Sequence, residues 1–214
     1  MRLSLKTGDL PLIIEECKKH GLLRNQTAYV LATTIHETAG SAKPVREYGG
    51  EAYLKSKKYY PYVGMGYVQL TWDYNYKKAS EALGVDFIKN PKLLLEAKYA
   101  APIIVIGMKE GWFTKKKLSD YITLIISDFV SARKIVNGRD KAELIAGYAK
   151  EYDKLLKDIG YGEQMPVILP SKPVQPLPDD PGVLPSETPK PSVRASNPFL
   201  DLILKLLSFF TRRK

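Results

Sequence analysis

The sequence predicts a mainly α-helical domain with little sheet, followed by a proline-rich linker and a short amphipathic helix at the end of the chain. Three observations carry this. Residues 1 to about 160 run as helical patterns punctuated by short Gly, Pro and Asn signals, with no internal repeat. The Gly- and Tyr-rich run from Tyr59 to Leu70 fits a loop or a short strand pair better than a helix. After Gly160 the composition changes abruptly, with ten of the fifteen prolines falling between Pro166 and Pro198.

The helices follow in order. Asp9 followed by Pro11 opens the first, which passes through Leu12, Ile13 and Cys17 and stops at Gly21. The second starts near Asn25 and ends at Gly40, a residue suited to a left-handed cap. Thr71 is the expected cap of a third, Trp72 to Leu83, closed by Gly84. Asn90-Pro91 opens a stretch expected to be helical through Lys109. Asp140, with Glu143 three residues on, has the capping-box spacing for a last core helix reaching about Asp158. These elements form one domain over residues 1–160, with 161–196 as linker and 197–214 as the terminal helix. In that helix Asp201, Lys205, Ser208 and Arg212 make a narrow polar stripe, and the rest is apolar up to Arg212-Arg213-Lys214. It is too short for a bilayer span, which takes about 17–25 residues, so an anionic membrane surface is the expected partner. Docking back onto the core is the alternative.

Lys and Arg outnumber Asp and Glu by 33 to 23, a formal charge of +10, which suits a polyanionic partner such as nucleic acid, anionic lipid or a bacterial envelope. No nucleic-acid-binding motif is present. Cys17 is the single cysteine, so an internal disulfide and a thiol-rich metal site are excluded.

The chemistry lies in residues 36 to 76. His36-Glu37 on a helix suggests a zinc protease, but that motif needs a second His at position 40, which is Gly40. Glu37 instead ends an otherwise uncharged helical run, Thr27 to Ile35. A carboxyl held there against the core would be desolvated, the condition under which an acid keeps its proton and can protonate a leaving-group oxygen. A glycosidase needs a second carboxylate across the scissile bond, about 6.5–9.5 Å away in an inverting enzyme. Glu47 is the nearest candidate and Glu51 the next. Equally, Glu37 could be a solvated helix-end acid, and Glu47 could pair with Arg46 or a nearby Lys.

His36-Glu37-Thr38-x-Gly40, followed by the run Tyr62 to Tyr76 (YVGMGYVQLTWDYNY), resembles glycoside hydrolase family 19, which holds the plant-type chitinases and a group of phage lysozymes. The similarity continues through Asn90-Pro91-x-Leu93-Leu94, Gly111-Trp112-Phe113-Thr114, Val136-Asn137-Gly138 and Leu144 to Ala149, so it covers about residues 25 to 156. It is similar especially to the lysozyme branch, where Pro-x-x-Glu follows soon after the first Glu. The resemblance implies a lysozyme-like helical fold, Glu37 as general acid and Glu47 as the base that activates water. It also implies a sugar cleft lined by Gln69, Thr71, Tyr74 and Asn75, with Asn137 holding the water or the substrate. Two features depart from the family pattern. Gly64-Met65-Gly66 stands where Gly-Arg-Gly is common, and the Arg often found in the final helix has no counterpart near Leu144.

Of the aromatic cluster Tyr59, Tyr60, Tyr62, Tyr67, Trp72, Tyr74 and Tyr76, a minority is expected to touch sugar, Tyr74 foremost. The expected activity is hydrolysis of β-1,4 bonds in peptidoglycan by a monomer without metal or organic cofactor. Chitin is the alternative substrate, and cationic membrane permeabilisation the alternative of another class. The N-terminus lacks the apolar run of a secretory signal. The expectation is therefore a bacterial cytoplasmic protein that reaches the wall through a partner pore such as a holin.

Overall fold

The computed structural model describes residues 2–162. Apart from Tyr161 and Gly162, the expected linker and terminal helix lie outside the described residues. Among the described residues, six α-helices carry the fold: α1 (Leu10–Lys19), α2 (Arg24–Glu37), α3 (Glu51–Lys55), α4 (Asp73–Leu83), α5 (Ala97–Glu110) and α6 (Ala142–Asp158). Sheet among these residues is β1 (Val45–Arg46) and β2 (Met65–Gly66), antiparallel, with Val45 opposite Gly66 and Arg46 opposite Met65. The mainly α expectation holds.

Helix α2 has no polar face. Every residue from Thr27 to Ile35 is buried, so the helix must be enclosed on all sides. Of its buried hydroxyls, Thr34 Oγ1 donates to Val30 O at 2.9 Å, whereas Thr33 Oγ1 has no hydrogen-bond partner among the described residues; Thr38 Oγ1, at the cap, donates to Thr34 O at 2.7 Å. Helix α6 covers it with Ala142, Ile145, Ala146, Ala149, Tyr152 and Leu156, spaced three and four apart. An Arg24–Asp153 pair (2.9 Å) and the Thr27–Tyr161 hydroxyl bond (2.8 Å) tie down the other end of α2. Tyr161 is thus still core, and the domain runs past residue 160.

Helix α5 is the wall shared by two apolar clusters. Ala101, Ile104, Val105 and Met108 join the cluster around α1, α2 and α6. Ile103 and Ile106 join the other, built on Leu54, Val63, Met65, Leu70, Tyr76 and Phe87. One helix can serve both because residues Ala100 to Met108 are all buried.

Helix boundaries differ from the sequence expectation at four places. The second helix ends at Glu37, not Gly40, because Ala39 (φ 50°) and Gly40 (φ 88°) are left-handed. Thr71 does not cap α4: its hydroxyl donates to Gln69 O at 2.7 Å, and Trp72 at φ 76° occupies the capping position. The stretch after Asn90 is a 3-10 helix, Pro91–Leu95, interrupted at Glu96 (ψ 126°) before α5 begins. Asp140 does not cap α6, which starts from Lys141 at φ 57°.

The loop leaving α2 is fixed by the N-terminal segment. Asp9 N donates to Ala42 O at 2.9 Å, Lys43 Nζ pairs with the Asp9 carboxylate, and Tyr67 Oη donates to Asp9 Oδ2 at 2.9 Å. Gly8 makes this approach possible: at φ +49° a Cβ there would lie 2.7 Å from Ala42 O and closer still to Ser41 O. Backbone oxygens cannot rotate away as a side chain can. We therefore predict that Gly8→Ala destabilises the domain by about 2 kcal/mol or more, lowering Tm by roughly 5 °C or more. Thermal unfolding followed by circular dichroism checks this, and an unchanged Tm would show that the loop is not held by this contact.

Candidate active site

The two candidate carboxylates are anchored by different chemistry. Glu37 is the last residue of α2, where the enclosed helix reaches the surface. Its Oε1 accepts a 2.6 Å hydrogen bond from Arg133 Nη1, and its Oε2 has no hydrogen-bond partner among the described residues. Arg133 belongs to the 3-10 helix Ser131–Ile135 and is only 2% exposed. Its Nε donates to Asp140 O at 3.0 Å, so one guanidinium ties the end of α2 to the loop that precedes α6. Behind the pair, burial pushes the Tyr29 phenol above its ordinary value, with the Arg133 charge working against that effect. The sequence left open whether Glu37 is held against the core or solvated; its side chain is mostly covered and its carboxylate paired with a guanidinium.

Glu47 follows β1, and its backbone N–H donates to Gly64 O at 2.6 Å. Its carboxylate accepts from Tyr59 Oη at 2.5 Å and from the Gly64 N–H at 2.8 Å. The bond to Glu47 pushes Tyr59 up to about 12, which keeps the phenol a donor. Close packing is part of this arrangement, since a Cβ on Gly64 would meet Gln69 Oε1 at 2.9 Å and Glu47 Cβ at 3.3 Å. Arg46 does not pair with Glu47. It reaches Glu51 instead (2.7 Å), whose side chain is 59% exposed.

The aromatic cluster divides. Tyr67 and Tyr76 are core residues, Tyr76 Oη donating to Val63 O at 2.5 Å. Trp72 and Tyr74 are exposed, with rings stacked at 6.1 Å and 21°. Tyr59 meets Trp72 edge-on at 5.4 Å. An unbroken row of rings, Tyr74–Trp72–Tyr59, therefore leads from solvent to the Glu47 carboxylate.

The remaining candidates turn their donors toward backbone. Gln69 Nε2 donates to Val45 O at 2.9 Å, Thr71 Oγ1 to Gln69 O, and Asn75 Nδ2 to Thr71 O at 2.8 Å. They brace the segment between β2 and α4, leaving the Gln69 and Asn75 carbonyl oxygens as acceptors. Asn137 is exposed, and its Oδ1 accepts from the Gly138 N–H at 2.8 Å. Two site residues escaped the sequence reading. Arg133, which holds Glu37, belongs to none of the motifs, and Tyr59 is only one member of an aromatic cluster.

Comparison with known proteins places this geometry. Residues 21–117 match the family described as chitinase class I. Residues 21–117 are therefore similar to glycoside hydrolase family 19. Within those bounds lie Glu37, Glu47 and the row of rings. The chain is 36% identical over 90 residues to "Endochitinase 1" of Theobroma cacao, covering 33% of this chain and 28% of that protein. It is 30% identical over 130 residues to "Chitinase 11" of Oryza sativa subsp. japonica, covering 49% of each. The chain thus spans half or less of these plant relatives. Chitinase C from Streptomyces griseus HUT6037 shares the fold, with a TM-score of 0.50 at 21% identity over 71% of this chain and 63% of that one.

The two ion pairs should differ in worth. A bond from a buried guanidinium to a carboxylate contributes about 1.5–3 kcal/mol, whereas an exposed pair contributes about 0–1 kcal/mol. Arg133→Ala is predicted to lower Tm by about 3–10 °C and Glu51→Ala by less than about 3 °C. Parallel melting curves decide it. Equal small shifts would mean that Arg133 does not hold the site together.

Proposed function

We propose that this family 19-like domain hydrolyses the β-1,4 bonds of amino-sugar glycans by a single displacement, and that its substrate is the glycan of bacterial peptidoglycan. The observation that carries the proposal is the pair of anchored carboxylates, Glu37 at the end of α2 and Glu47 at the end of β1. In this mechanism Glu37 gives its proton to the glycosidic oxygen as the bond to the anomeric carbon breaks. Water attacks that carbon from the opposite face, and Glu47 takes the water's proton, so the configuration inverts. Arg133 holds Oε1 of Glu37 and leaves Oε2 to face the leaving oxygen. Tyr59 and the Gly64 N–H fix the direction in which Glu47 receives a proton. The exposed Trp72 and Tyr74 rings offer a stacking surface for sugar.

The formal charge of +10 supports peptidoglycan, because an acidic envelope attracts a basic protein and chitin is neutral. So does the Pro44-x-x-Glu47 spacing soon after Glu37, as in the lysozyme branch. Chitin is the second reading, favoured by the names of the plant relatives, which are endochitinases and chitinases. Reducing ends released from purified peptidoglycan and from chitin, side by side, separate the two. Release from chitin alone would overturn the peptidoglycan reading.

Residue roles are tested by isosteric change. Glu37→Gln keeps the Arg133 acceptor but removes the transferable proton, and general acid–base catalysis contributes about 10²–10⁴-fold. We expect kcat to fall by that order with the fold intact. Glu47→Gln should be comparably severe and Glu51→Gln mild, since Glu51 is engaged with Arg46 at the surface. A folded Glu37→Gln protein with near-normal turnover removes the acid from this position. A reversed ranking of Glu47 and Glu51 moves the base.

A further inference from the structure

The 3-10 helix that presents Arg133 has a second face. Side chains at i and i+3 eclipse in such a helix, so Ser131 and Lys134 share one side while Arg133 turns inward to Glu37. Ser131 and Lys134 line an open concavity of about 670 Å³, whose other wall is the start of α6. Its character is mixed. Val130, Ala142 and Leu144 supply apolar surface, and Lys134, Arg139 and Lys141 supply three positive charges against the single carboxylate of Glu143. None of the three cations is within ion-pair distance of an acid among the described residues. The concavity also adjoins the site covalently: Lys134 is the next residue after Arg133, and Arg133 holds the carbonyl of Asp140, between Arg139 and Lys141.

A neutral glycan gives these cations nothing to bind. We propose that the concavity is a subsite for an acidic, partly aliphatic substituent carried by the glycan beside the cleaved bond. In peptidoglycan that substituent is the short peptide attached through a lactyl group to alternate sugars, which bears free carboxylates and methyl groups. The inference rests on the peptidoglycan reading and deepens it. Carboxylates pair with Arg139, Lys141 and Lys134, and the methyl groups lie on Val130 and Leu144. The peptide thereby becomes a handle that holds the glycan next to Glu37.

The test uses the full chain on two substrates: purified peptidoglycan, and the same material with its carboxylates converted to amides. The readout is the ratio of KM on amidated to KM on intact material. Unmodified protein should give a ratio of about ten or more, the change carried by ~1.4 kcal/mol. The double variant Arg139→Glu, Lys141→Glu should bring the ratio close to one; both side chains are exposed, and a melting curve checks that the fold is kept. Lys154→Glu with Lys157→Glu makes the same change in net charge far along α6 and should keep the ratio high. A ratio that stays high in the first variant overturns the subsite while leaving the peptidoglycan reading in place. An equal fall in both variants also overturns it, because long-range charge attraction then accounts for the effect. If the unmodified protein cleaves chito-oligosaccharides but neither wall substrate, the peptidoglycan reading fails, and the subsite fails with it.

Discussion

Nine consecutive residues of α2, Thr27 to Ile35, are buried, and an enclosed helix can carry charge only at its ends. Each end is accordingly tied to a charged partner from elsewhere, Arg24 to Asp153 and Glu37 to Arg133. The enclosure also dictates the packing. Helix α6 lays an apolar face along α2, and α5 lies between the two clusters, with residues in each. What reaches the surface at the end of α2 is therefore rigidly placed, and the residue there is Glu37. A proposed acid on a loop would have to be ordered separately. Here its backbone position is a by-product of the core.

The two carboxylates are held in different environments. Glu37 is held by one buried cation, which also secures the Asp140 carbonyl. Glu47 is held by neutral donors, a phenol and a backbone N–H. Removing the first partner leaves a hole in the packing between α2 and the loop before α6. Removing a phenol from the second leaves Gly64 still in place. The arrangement makes Glu37 dependent on a single partner, whereas Glu47 is fixed by two donors at once.

Helix existence was legible where a glycine or proline punctuates a periodic run, as α1 begins at Leu10 beside Pro11 and α4 stops at the left-handed Gly84; the short α3 that follows Gly50 was not foreseen. Caps were not legible: the Thr71 hydroxyl turns back to Gln69 O instead of capping α4. The spacing from Asp140 to Glu143 fits a capping box, yet Arg133 takes the Asp140 carbonyl and leaves Lys141 to start α6 in a left-handed conformation. Arg133 was missed for a related reason. It is one of 33 basic residues, it lies in a stretch without helical or strand periodicity, and its pairing with a residue 96 positions earlier has no local signature. The role of Glu47 was left open by the sequence, and the Arg46–Glu51 contact removes only the reading in which Glu47 pairs with Arg46.

Backbone strain lies next to the row of rings. Gln69 and Trp72 are both left-handed, at φ 54° and 76°, though neither is glycine and the latter carries the largest side chain in the alphabet. Such conformations cost of order 1–3 kcal/mol each and persist only where the surroundings over-determine them. The surroundings here can be named. Met65 and Leu70 exchange backbone hydrogen bonds, Trp72 N donates to Tyr62 O at 3.0 Å, and Gln69 Nε2 grips Val45 O. Relaxing Trp72 into an ordinary conformation would break the bond to Tyr62 and turn its ring away from Tyr74 and Tyr59. That would interrupt the surface leading to Glu47. The donors of Gln69, Thr71 and Asn75 are thus not lost to the site by facing backbone. They hold a strained turn in the one shape that keeps two aromatic faces exposed in line with the proposed base.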